Sequence, residues 1–139
     1  MGALLSQGWR GLKRADIGEQ MKLYISRNQA DVKGFFGGHK GVMFSLSARA
    51  EITPQEQGLI DRYKVSDYQL ATYRIPGDDD EDEEKQRITV SSLLAGFTVQ
   101  LRQLDTLMEL EEKCKQSCRE LKTLLRVAAS FGGQEVIEV

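Results

Sequence analysis

The strongest constraint on this chain is a helical stripe near its end. Leu104, Leu107, Leu110, Cys114, Cys118, Leu121, Leu125 and Ala128 recur every three or four residues, the spacing that lines up one face of a helix. Asp105 is placed to cap its start, and the pattern carries it to about Ser130. Glu109, Glu111 and Glu112 lie early and Lys122 and Arg126 late, as the helix dipole favours. Glu109–Lys113 and Glu111–Lys115 add i,i+4 pairs in the better orientation. A helix apolar along one face must lay that face on another element.

Strands supply the surface. Val42, Phe44, Leu46, Ala48 and Ala50 alternate with Ser45, Ser47, Arg49 and Glu51, which describes a sheet covered on one side and wet on the other, hence antiparallel. Lys22–Ser26, Tyr68–Ile75 and Phe97–Leu101 are further strands, and Gln134–Val139 is a terminal one. Asn28–Lys33 is expected to be a polar connection.

Thr53-Pro54-Gln55-Glu56 combines a capping threonine, a proline at the first helical position and the glutamate of a capping box. Ile88–Gly96 fits either a continuous strand or, preferred, one or two helical turns closed by Gly96. The fold class is therefore α+β: a mainly antiparallel sheet of about five strands, with one short and one long helix on one face.

At 139 residues the chain has a one-domain length. Residues 1–20, with four glycines and few apolar side chains, are expected to be a loosely ordered leader before a domain at 21–139. An acidic loop is expected at 77–86, around Asp78-Asp79-Asp80-Glu81-Asp82-Glu83-Glu84, because like charges in a row repel and stay solvated. That run makes residues 78–139 net −6 while residues 1–77 are net +4.

The overall charge of −2 gives no general attraction to nucleic acid or to anionic membrane. A nucleic-acid site would need Arg10, Lys13, Arg14, Lys22, Arg27, Lys33 and Lys40 to gather on one face. No apolar run approaches a membrane span. Two cysteines are too few for a secreted disulfide scaffold, so a reduced, cytoplasmic protein is expected.

Five features invite a functional reading. Cys114 and Cys118 could give half of a thiolate metal site shared across a dimer, but they continue the leucine stripe and are expected to be packed thiols. His39, the only histidine, stands in the glycine-rich turn Gly34–Gly41. That turn departs from a phosphate loop: Lys40 follows His39, precedes Gly41, and leads into a strand rather than a helix. Met1-Gly2-Ala3-Leu4-Leu5-Ser6 matches the myristoylation pattern but is expected to be inert. The acidic run lacks the spacing of a calcium loop.

No catalytic residue, cofactor or metal is expected. The favoured function is a small non-enzymatic binding or assembly module acting through protein–protein contacts, with an unknown protein partner or a homodimer. Phe35, Phe36, His39 and Lys40 are its candidate binding residues. The alternative is a small enzyme around the Gly34–Gly41 turn and His39, drawing on Tyr24, Arg49 and Tyr73.

Overall fold

Alternation builds the first sheet. In the computed structural model, which describes residues 17–33, 40–76, 83–131, 133–134 and 136–138, β1 (Lys22–Lys33) and β2 (Lys40–Glu51) form a long antiparallel hairpin from Lys22↔Glu51 to Lys33↔Lys40. Leu46, Ala48 and Ala50 of β2 are buried, while Arg49 and Glu51 face water. The alternation fades toward the hairpin tip, where Val42 is exposed. Asn28–Lys33 is strand rather than a connection. Four of its six side chains are polar, but β2 offers it a complete ladder, and backbone pairing does not require apolar side chains. Gly41 likewise belongs to β2, opposite Val32.

β5 (Phe97–Leu101) pairs antiparallel with the middle of β2, giving the order β1-β2-β5. β3 (Gln69–Pro76) and β4 (Glu83–Thr89) make a second, two-stranded antiparallel sheet, with an irregularity at Leu70. The five antiparallel strands are thus divided over two sheets. The acidic run is shorter as a loop than expected, since Glu83 and Glu84 already pair in β4 with Pro76 and Ile75. The remaining acidic residues, 78–82, lie outside the described residues. The described residues of Gln134–Val139, 134 and 136–138, carry no strand pairing, and the fifth described strand is β4 instead.

The helices follow their caps. α1 (Pro54–Tyr63) starts at Thr53, whose Oγ1 accepts from the Glu56 N–H while Glu56 Oε1 accepts from the Thr53 N–H at 2.8 Å. α2 (Val90–Ala95) has a second box, Thr89 with Ser92, and ends at Gly96, whose φ of +90° suits glycine. Val90 and Ser91 donate their N–H groups to the carbonyls of Tyr68 and Ser66, tying α2 to the segment before β3.

α3 (Leu104–Ala129) lies across both sheets. Gln103, not Asp105, is its N-cap and makes no side-chain cap bond; Asp105 accepts instead from the Thr106 N–H. Its buried face is Leu107, Leu110, Cys114, Ser117, Leu121, Leu125 and Ala128. Ser117 therefore holds the place expected of Cys118, which is half-buried on the flank. Ser117 satisfies its hydroxyl by donating to the Lys113 carbonyl at 2.7 Å, so a buried polar side chain costs the stripe little.

Ile17 and Gly18, at the end of the expected leader, are packed, while Glu19 and Gln20 are exposed. Ile17 is fully buried in the core, its carbonyl accepts from Arg126 Nε at 3.1 Å, and the Gly18 N–H donates to Glu56 Oε2 at 2.7 Å. Residues 1–16, including the basic turn and the myristoylation-like start, lie outside the described residues.

Candidate interaction surface

Two-residue alternation leaves one face of the three-stranded sheet to α3 and turns the other outward. From β1 come Lys22, Tyr24, Ser26 and Asn28; their register partners on β2 are Glu51, Arg49, Ser47 and Ser45. Thr98 and Gln100 of β5 continue two of these rows. Ser47 Oγ and Thr98 Oγ1 share a hydrogen bond of 2.8 Å. The Arg49 guanidinium lies 4.9 Å from the centre of the Tyr24 ring, an attraction worth about 0.5–1 kcal/mol at an exposed site. It also stands 3.8 Å from Glu51, a loose pairing between two exposed groups.

Gly96 sets the floor of this region. The aliphatic part of Arg49 rests beside its Cα, which leaves a shallow depression of about 420 Å³ among Tyr24, Ser26, Ser47, Arg49 and Thr98. The hydroxyls can donate and accept, and Arg49 adds a cation. In the Ser47–Thr98 bond either oxygen can be the donor.

The edge of this sheet is the second component. β1 has β2 on one side and, among the described residues, no strand on the other. Leu23 and Ile25 are half-buried against the core, and Arg27 reaches across to α3, where its Nε donates to Glu111 Oε1 at 2.7 Å. Lys22 and Arg27 thus turn to opposite faces, so β1 does not gather them into a basic patch on one side.

Of the residues expected to bind, Phe35, Phe36 and His39 lie outside the described residues, and Lys40 opens β2 opposite Lys33. Of the residues named for an enzyme, His39 lies outside the described residues, and the other three do not converge. Tyr24 and Arg49 meet on the outer face, whereas Tyr73 is half-buried in the other sheet, where burial and the neighbouring Cys114 push its hydroxyl pKa up. Sequence reasoning missed the hydroxyl row; the signal available was the run Ser45, Ser47 and Arg49 on the wet side of β2.

Cys114 is buried and Cys118 half-buried, and both thiols are free. Burial first, then the charges of Cys118 and Glu111, push Cys114 up to about 12. Burial raises Cys118 to about 11 against the opposing effect of Arg119. Among the described residues no group of three or more His, Cys, Asp and Glu is placed to hold a metal ion. No described helix is long and apolar enough to cross a membrane. Comparison with protein-family models, with curated proteins and with solved structures found no match for this chain.

Proposed function

We propose that this chain is a non-enzymatic binding module that works through protein–protein contacts, and that its contact surface is the free edge of β1 with the polar sheet face beside it. One observation carries the reading: β1 runs for 12 residues and, among the described residues, pairs with β2 alone. Alternate residues of an antiparallel edge strand turn their N–H and C=O groups away from the neighbouring strand. Such groups bond to water or to an added strand, and added strands are a common mode of peptide recognition. Tyr24, with Arg49 stacked on it, lies on the outward face of that edge, where side chains of an added strand would meet it.

Proline separates edge from interior. Of two successive residues, one turns its amide to β2 and the other to water, so Asn28→Pro and Gln29→Pro, made separately, remove one of each kind. The variant that keeps the wild-type melting temperature should lose whatever partner the wild-type chain captures after cross-linking in its native cells. A partner retained by that stable variant, or a wild-type chain that neither captures a partner nor self-associates, overturns the reading.

A further inference from the structure

We infer that the β1 edge is filled by residues 134–139 of a second copy of this chain, two copies exchanging these segments reciprocally. The inference rests on the edge reading above and names its occupant. Gln134-Glu135-Val136-Ile137-Glu138-Val139 is rich in β-branched residues and follows Gly132-Gly133, a pair that lets the chain turn away from α3. In the single chain the described residues of this segment are exposed: Val136 is 83% and Ile137 69% exposed, the two most exposed large apolar side chains described. β1 in turn presents half-buried Leu23 and Ile25 on a strand whose outer edge pairs with no described strand.

One antiparallel register satisfies both sides. With Ile137 opposite Ile25, Glu135 falls opposite Arg27 and Val139 opposite Leu23, so the two apolar pairs extend the covered face and Glu135 joins the pair that Arg27 already makes with Glu111. On the outer face Val136 then meets Ser26, and Glu138 meets Tyr24 with Lys22 diagonal to it. Within the span paired in this register Arg27 is the one charged residue of β1, with Lys22 just beyond its end, and the segment brings two glutamates.

The occupant comes from another copy because of direction. α3 runs opposite to β1, with Glu111 beside Arg27 and Arg126 beside Ile17, just before β1 begins. A segment leaving the end of α3 therefore starts at the Lys22 end of its own β1 and can run beside it only in the parallel sense. A second copy meets no such limit, and a two-fold axis makes the exchange mutual.

Light scattering across a concentration series tests this with four proteins: the full chain, the chain ended at Gly133, the stable β1 proline variant, and a charge-exchange set. The full chain should show the mass of two chains, and both the shortened chain and the proline variant the mass of one. Arg27→Glu and Glu135→Arg should each raise the dissociation constant about tenfold, and together restore it. A full chain that stays monomeric, or a charge exchange without rescue, overturns the inference. Dimers lost in the proline variant but kept without residues 134–139 overturn the occupant and leave the edge reading standing. Dimers kept in the proline variant place the contact elsewhere, and the capture experiment then judges the edge alone.

Discussion

Gly18 has a φ of +87°, a conformation that L side chains rarely adopt, and a methyl group there would collide with Cγ of Lys122. Its neighbour Ile17 fills the core, so strain at Gly18 is transmitted to a packed side chain. Gly18→Ala should therefore cost about 1–2 kcal/mol, read in denaturant melts; no change would mean that residues 17–20 move aside freely.

The thiols make a second statement at this scale. With pKa values pushed up to about 12 for Cys114 and about 11 for Cys118, both stay protonated near neutrality, and labelling of the native protein should be slow until it unfolds. Because the folded state holds these protons more tightly than the unfolded chain, their contribution to stability is whole below about pH 9, the ordinary thiol value, and is lost as pH rises toward 11–12. Melting temperature should decline over that alkaline window, and Cys114→Ala should flatten the decline. A decline unchanged by that substitution would assign it to other groups. Cys114→Ala itself opens a small cavity costing about 1 kcal/mol, with less lost at half-buried Cys118.

At the scale of elements, α1 is held by one buried carboxylate. Glu56 is 1% exposed, and its two oxygens accept from the Thr53 N–H, the Thr53 hydroxyl and the Gly18 N–H. The capping box was legible as Thr53-Pro54-Gln55-Glu56, but the long-range bond to Gly18 was not, since nothing local relates residues 38 apart. Thr53→Ala should cost about 1 kcal/mol. Glu56→Ala should cost about 3 kcal/mol, because it leaves donors desolvated without an acceptor. Equal losses for the two substitutions would show that Gly18 finds another partner.

For the whole molecule, α3 is the element that joins both sheets, and the segment before β1 closes the core between α1 and α3. Ile17 contacts the core fully buried, Arg126 holds its carbonyl, and Glu56 holds the next amide. Deleting residues 1–20 removes all three, with a side-chain loss alone of about 3 kcal/mol. The melting temperature should fall by roughly 10 °C. A fall of only one or two degrees would mean that α1 and α3 close over the vacated space.

What the sequence determined by itself were features whose physics is local. The stripe from Leu107 to Ala128 needs only helical periodicity, the alternation from Phe44 to Ala50 only a pleat, and the Thr53–Glu56 box only three residues of spacing. Tertiary structure decided the features that depend on a neighbour. Glu83–Arg87 has no strand pattern yet forms β4, because β3 pairs with it from Tyr73↔Gln86 to Pro76↔Glu83. Gln134–Val139 has the better strand composition, yet its described residues form no strand, because no described strand pairs with them. A strand is completed by hydrogen bonds to another segment, and side-chain pattern cannot say whether that segment is there.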